Sequence, residues 1–190
     1  MGANDKRLVV GISGASGVIY GLEMLKQLKE LDYESHLILS NAAKKIISVE
    51  TEYSVDHFES LASRIYQEDD MTAPIASGSY ITMGMVIIPC SIKTLSSITH
   101  SYNNNLMTRA ADVHLKERRP LVLVIRETPL HSGHLKLMLG ASEMGSIILP
   151  PIPAFYHKPK NISDLVNQTI GKCMDSLGIP NDIYQRWEGV

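Results

Sequence analysis

Short apolar runs alternate along the chain with longer stretches whose apolar residues recur every three to four positions. The runs at 7–13, 35–39, 84–89, 121–125 and 146–149 are rich in Val, Ile and Leu. They lack strict polar alternation, so each predicts a strand buried on both faces. Between them, the helical period predicts helices over 18–31, 41–50, 92–100, 106–118, 130–144 and 162–177. In the first of these, Tyr20, Met24, Leu25 and Leu28 share a face. Ser40 is placed to cap the start of the second, Gly145 to end the fifth and Gly178 to stop the last. The polar stretch 51–79 predicts only a short helix around 57–66 and then a loop. Doubly buried strands that alternate with helices need a parallel sheet covered on each side, joined by right-handed crossovers. The expectation is an α/β fold, a three-layer doubly wound parallel sheet of five or six strands, Rossmann- or flavodoxin-like. No internal repeat or low-complexity linker interrupts the pattern, so residues 1–190 are read as a single domain.

Composition removes several classes of function. The chain has 18 Lys and Arg against 20 Asp and Glu, a formal net charge of -2, so no basic excess points to nucleic acid. Cys90 and Cys173 stand far apart with no C-x-x-C pairing, which fits a reducing, cytoplasmic setting and no disulfide framework. The start, MGANDKR, has no hydrophobic signal core, and Lys6 stands where a myristoylation signal prefers Ser or Thr. No apolar run approaches the roughly 18 residues of a membrane span. The seven histidines do not cluster with metal-ligand spacing; His131 and His134 lack a third partner, so no metal is expected. No G-x-S-x-G nucleophile elbow occurs, and the nine methionines read as core filling.

In a doubly wound fold, ligands sit beyond the carboxyl ends of the strands. Strand one runs into "GISGASGVIYG". Its spacing, Gly11-x-x-Gly14-x-x-Gly17, matches neither the dinucleotide fingerprint nor the P-loop. A glycine turn leading into a helix nevertheless offers open N–H groups and a positive dipole end to a phosphate. Gly14, Ala15 and Ser16 stand there, Ser40 follows strand two, and Ser91, Ile92, Lys93 and Thr94 follow the "MVIIP" strand. Arg126 and Glu127 follow "LVLVI". Ser40 and Ser91 could each be only a helix cap. Three such ends together favour a phosphorylated ligand. A dinucleotide usually needs an acid at the end of strand two; Leu39-Ser40-Asn41 has none, so a mononucleotide such as FMN fits better than NAD.

A second cationic group lies in "TRAADVHLKERRP", where Arg109, Asp112 and Lys116 share one helix face. They are either surface ion pairs built on Asp112 or a second anion site. Tyr156, His157 and Lys158 occupy a Pro-bounded loop, and Lys172 lies on the last helix, where alone it reads as a solvated lysine.

The stretches "GISGASGVIYG", "LSNAAKKIISVETEY", "ASGSY", "PCSIKTLSSI", "RAADVHLKERRPLVLVIRETPL", "LPPIPAFYHKP" and the late "RW" resemble, in order, the UbiX-type flavin prenyltransferases. The resemblance runs from about Leu8 to Trp187. It implies metal-free transfer of a dimethylallyl group from dimethylallyl monophosphate to N5 and C6 of reduced FMN. The product, prenylated FMN, would serve a partner UbiD-type decarboxylase. By the same resemblance, Gly14, Ala15, Ser16, Ser40, Ser91, Ile92, Lys93, Thr94 and Arg126 match FMN contacts. Tyr156 and Lys172 match contacts to the dimethylallyl phosphate, and some members carry Arg at the second position. Arg109, Lys116 and Trp187 fall in or near the prenyl-phosphate site, and Ser16, Glu50, Lys116 and Glu127 are the implied catalytic positions. The family forms large homo-oligomers, usually dodecamers, so a cytoplasmic homo-oligomer is expected. FMN-dependent cysteine decarboxylases share the fold type, but "YNNNLMTRAADV" lacks their Pro-x-Met-Asn core. A non-catalytic flavin carrier would have no use for a second phosphate clamp.

Overall fold

The computed structural model describes residues 6–189; the reading of residues 1–5 lies outside them. The strands are β1 (Arg7–Ile12), β2 (Glu34–Leu39), β3 (Arg64–Tyr66), β4 (Gly84–Cys90), β5 (Leu121–Ile125) and β6 (Ile147–Ile148). They form one six-stranded sheet in the order β3-β2-β1-β4-β5-β6, and every pairing is parallel. This is the Rossmann order rather than the flavodoxin one. The helices are α1 (Val18–Glu30), α2 (Asn41–Glu50), α3 (Val55–Leu61), α4 (Ile92–Thr99), α5 (Leu106–Lys116), α6 (Ser132–Glu143) and α7 (Ile162–Ser176).

Strand alternation divides the apolar residues between two layers. Leu8, Val10 and Ile12 of β1, Val86 and Ile88 of β4, and Val122 and Val124 of β5 face a core shared with α1, α2, α3 and α7. Val9, Met85, Ile87, Leu121 and Leu123 face the opposite core, shared with α4, α5 and α6. Burial on both faces is why these runs read as continuously apolar. Helix α1 lies close on the sheet because Gly21 has no side chain. A Cβ there would stand 2.5 Å from Ile12 Cδ1 and 2.7 Å from the Ile88 carbonyl oxygen.

Most boundaries fall within a residue or two of the sequence reading, and Ser40 caps α2 through the Ala43 amide at 3.0 Å. The stretch 51–79 differs. Its helix ends at Leu61, and Arg64–Tyr66 forms the edge strand β3 beside β2. Three residues, two of them exposed, are too few to show a period of two. Helix α6 begins at Ser132 rather than residue 130, capped by the His131 side chain. Gly11 lies inside β1, not in the turn.

Phe58 of α3 is fully buried. Replacing it with Ala should lower stability by about 3–5 kcal/mol, the range for emptying a buried aromatic site. A shift in the urea midpoint at unchanged slope would measure it; a loss under 1 kcal/mol would show that the α3 layer is not packed as described.

Candidate active site

Strands β1 and β4 are neighbours, yet their following helices, α1 and α4, belong to opposite layers. The order in which strands are added reverses between them, which opens a crevice at the carboxyl edge of the sheet. Its rim is fixed by hydrogen bonds beyond the last sheet pairs. The Ser13 hydroxyl donates to the Pro89 carbonyl (2.8 Å) and accepts from the Ser91 amide (2.7 Å). Ser40 N–H donates to Ile12 O at 3.1 Å, and Arg126 N–H to Cys90 O at 3.1 Å.

A cleft of about 380 Å³ opens at this point, lined by Gly14, Ser40, Asn41, Ala42, Glu68, Ser91, Lys93 and Thr94. Gly14 is required because a Cβ there would collide with the Ala42 side chain. Ala15, Ser16 and Gly17 complete the same turn, and Gly17 takes a φ of 100° that favours glycine. Ser91 caps α4 through the Thr94 amide at 3.3 Å, with the two hydroxyls 3.1 Å apart. Capping and cleft lining therefore coincide at Ser40 and Ser91. Ile92 and Lys93 open α4, where the first-turn N–H groups have no intrahelical acceptor. The end of β2 carries no acid of its own, but Glu68, which follows β3, sets its carboxylate on the Asn41 amide at 2.8 Å, so the sequence argument against a dinucleotide does not hold at this point. The cleft suits one phosphate with a hydroxyl-rich chain, and the shape at Gly14 admits close approach of such a group.

The turn itself departs from expectation. The Gly17 and Val18 amides at the start of α1 are not open to an outside anion. Glu50, the last residue of α2, accepts from Gly17 N–H at 2.7 Å and Val18 N–H at 3.2 Å. Its carboxylate locks the Ser16 turn against α2, and any phosphate seat moves toward α4.

Arg126 and Glu127 line an adjoining cavity of about 480 Å³ with Met138 and the 150–153 Pro-rich segment. Among the described residues neither makes a salt bridge. Among those residues Glu127 accepts from the neighbouring Thr128 amide alone, at 3.0 Å, and does not pair with Arg126. Burial raises the pKa of Tyr20, against a smaller pull from the Arg126 charge.

Of the remaining predicted positions, Arg109 stands in the first turn of α5. Arg109 bonds to the Ala76 carbonyl at 3.1 Å and to Asp112 at 3.0 Å. Lys116 pairs with Glu117 rather than Asp112, so Asp112 does not join both cations. Helix α5 leads into the start of β5, so Lys116 sits at the amino edge of the sheet, where it lines a cavity with Arg118, Arg119 and Pro120. The cleft lies a strand length away, roughly 20 Å for the seven residues of β4. Lys172 is exposed near the end of α7, also toward that amino edge. Tyr156 and Trp187 meet edge to face at 5.9 Å and stay 42% and 60% exposed. One chain therefore lines its cleft with Gly14, Ser40, Ser91, Lys93 and Thr94, places Arg126 and Glu127 on a second cavity, pairs Tyr156 with Trp187, and leaves Lys116 at the opposite edge of the sheet.

Sequence reasoning missed Glu68 and Asn41 in the cleft, and the anchor of the tail. Asp175 binds Arg186 at 2.7 and 2.9 Å and Tyr184 at 2.7 Å. Tyr184 packs where Gly171 leaves room. No local pattern marks contacts made across such sequence separations. Burial pushes both Cys90 and Cys173 up to about 12, so neither is a thiolate near neutrality. Among the described residues, no three His, Cys, Asp or Glu side chains group to hold a metal ion, and no helix is long and apolar enough to cross a membrane.

Strand order and crevice place the protein in the doubly wound class that binds nucleotides at the switch point. A Flavoprotein family model matches residues 2–173. The chain is 54% identical over 187 residues to the flavin prenyltransferase UbiX of Escherichia coli strain K12, covering 97% of this chain and 99% of that protein. The crystal structure of AnUbiX (PadA1) in complex with FMN and dimethylallyl pyrophosphate superposes with a TM-score of 0.96 at 42% identity, covering 97% and 98% of the two chains. A dodecameric FMN-dependent UbiX-like decarboxylase from Escherichia coli O157:H7 gives 0.94 at 43%, covering 96% and 100%. The chain belongs to the UbiX flavin prenyltransferase family.

The Arg186 guanidinium holds Asp175 down to about 2. Because the folded value lies below the unfolded one, this contribution is present above about pH 4 and is lost as pH falls toward 2. Emission of Trp187, the single tryptophan, should report the tail coming free across that window. Asp175→Asn should show the released signal at neutral pH already; a tail equally protected from proteolysis in that variant would rule the clamp out.

Proposed function

We propose that the protein is a single-domain flavin prenyltransferase. It joins the dimethylallyl group of dimethylallyl monophosphate to N5 and C6 of reduced FMN, in the cytoplasm, for a UbiD-type decarboxylase. The observation that carries this reading is the division of the site. A one-phosphate cleft stands at the switch point, and Lys116, a cation that its ligand does not need, lies at the opposite edge of the sheet. A carrier would need only the first, and the relatives do not favour a cysteine decarboxylase.

Gly14, Ala15, Ser16, Ser40, Ser91, Ile92, Lys93, Thr94 and Arg126 hold FMN in this reading. The α4 end takes its phosphate and the hydroxyls take its polar chain. The reduced flavin supplies two nucleophilic positions; this chain's residues do the rest. Arg109, Lys116 and Lys172 bind the departing phosphate, whose charge grows as its bond to carbon breaks. Tyr156 and Trp187 give a π-rich wall for positive charge on the allyl group. Glu50 keeps Ser16 in place through the Gly17 and Val18 amides. Glu127, free of a cation partner, exchanges a proton with the phosphate or the ring.

Lys116 cannot reach the cleft of its own chain. A neighbouring copy supplies it in a homo-oligomer, a dodecamer as in the similar Escherichia coli O157:H7 structure.

Titration should show FMN bound more tightly than NAD; tighter NAD binding would overturn the cleft assignment. Glu127→Gln should keep FMN affinity within a few-fold yet lower turnover by about two decades or more, the usual worth of a general acid or base. Wild-type turnover in that variant would remove Glu127 from the chemistry. Mixed oligomers of a Lys116→Ala chain and a Ser91→Arg chain should regain activity that neither has alone. An active monomer by light scattering would refute the shared site.

A further inference from the structure

Glu68 places a carboxylate inside a cleft otherwise built for an anion. Its side chain is not free to swing away. One oxygen accepts from Asn41 N–H, the first amide of α2, at 2.8 Å, and the other accepts from the Asn105 side-chain amide at 3.0 Å. Asn105 in turn caps α5, and the Leu106 amide donates to the Glu68 carbonyl at 2.8 Å. The acid is thus fixed between two helix starts.

The consequence is an electrical asymmetry across the cleft. On the α2 side, Glu68 takes the Asn41 amide and Ser40 takes that of Ala43, which leaves only the Ala42 N–H open among the described residues. On the α4 side, Ile92 and Lys93 N–H meet no acceptor among the described residues, the Lys93 side chain lines the cleft, and Thr94 adds a hydroxyl. A phosphate is attracted at α4 and repelled at α2. Neutral hydroxyl groups, which donate to a carboxylate, fit the α2 side.

We propose that Glu68 is a specificity-determining residue. It confines the cleft to a single phosphate at α4 and excludes ligands that carry a second phosphate toward α2. This rests on the reading of the cleft as the FMN site. Sequence gave no sign of it, because Glu68 heads an acidic run, Glu68-Asp69-Asp70, in a stretch read as loop.

The test compares riboflavin, FMN and FAD by flavin fluorescence with the full-length protein. Wild type should bind FMN far more tightly than riboflavin, and FMN more tightly than FAD. In Glu68→Gln, which keeps an acceptor for Asn41 but loses the charge and the acceptor for Asn105, FAD affinity should rise on the order of tenfold. That is close to the repulsion between two unit charges about 4 Å apart in bulk water. FMN affinity should change by less than FAD affinity, and Glu68→Asp should restore the wild-type preference. If FMN and riboflavin bind wild type equally, the FMN reading itself fails. If FMN binds well but the FMN-to-FAD ratio is the same in Glu68→Gln, Glu68 is only a strut between α2 and α5 and the proposal is wrong. Should the variant not fold, wild type alone decides. Its preference for FMN over FAD should shrink severalfold as salt rises from about 20 mM to about 500 mM and screens the second phosphate. A preference indifferent to salt would overturn the proposal.

Discussion

The Ser13 hydroxyl donates to Pro89 and accepts from Ser91, and through these two bonds the ends of β1 and β4 stay together after their sheet pairing has stopped. Ser13 is buried, so the bonds are shielded from water. Each contributes only about 1 kcal/mol net, but an unpaired Ser91 amide would cost about 1–3 kcal/mol. The larger effect is geometric. The Ser91 amide fixes where α4 starts, and the Ser13 backbone fixes where the Gly14 turn starts. With Ser40 tied to Ile12 and Arg126 tied to Cys90, four strand ends present their side chains to one crevice at set distances. A ligand that meets these groups finds them already ordered, so little conformational freedom is left to lose.

Within this frame, the anionic groups of the chain do the local tuning. Glu50 and Glu68 are both drawn to helix starts by the same open amides that would attract a phosphate. Each removes one of the possible anion seats, at α1 and α2 respectively, and α4 is left. The glycine turn, the most conspicuous feature of the sequence, therefore provides shape more than charge. Gly14 clears space beside Ala42, while Lys93 and the α4 amides provide the positive field.

How much of this was legible follows from the range of each interaction. Strands β1, β2, β4 and β5 were readable because burial on both faces writes itself into consecutive residues. Ser40 and Ser91 were readable because a cap acts over three residues. Strand β3 was not, since three mostly exposed residues pair with β2 only through their backbone. The Glu50 and Glu68 contacts span 33 and 27 residues, and Asp175 reaches Arg186 across a turn of chain that carries no periodic signal. Lys116 shows the converse. The resemblance assigned it to the site, and helical spacing placed it beside Asp112. The fold carries it to the far edge of the sheet.

That separation has a physical logic. Lys116 and Lys172 brought to the cleft of one chain beside Arg109 would add like charges that repel each other and, in the absence of ligand, would draw Glu50, Glu68 and Glu127 into ion pairs. Kept apart, each is stable alone. Arg109 rests on Asp112 and Lys116 on Glu117, both partly exposed pairs worth little to stability and so cheaply broken. Among the described residues Glu127 has no cation partner, which suits the proton exchange proposed for it. If assembly brings the second set of cations to the first cleft, the full positive field forms only where two anionic substrates can fill it. Association and catalysis then depend on the same few side chains, and the folded chain need not carry an unsatisfied cluster of like charge.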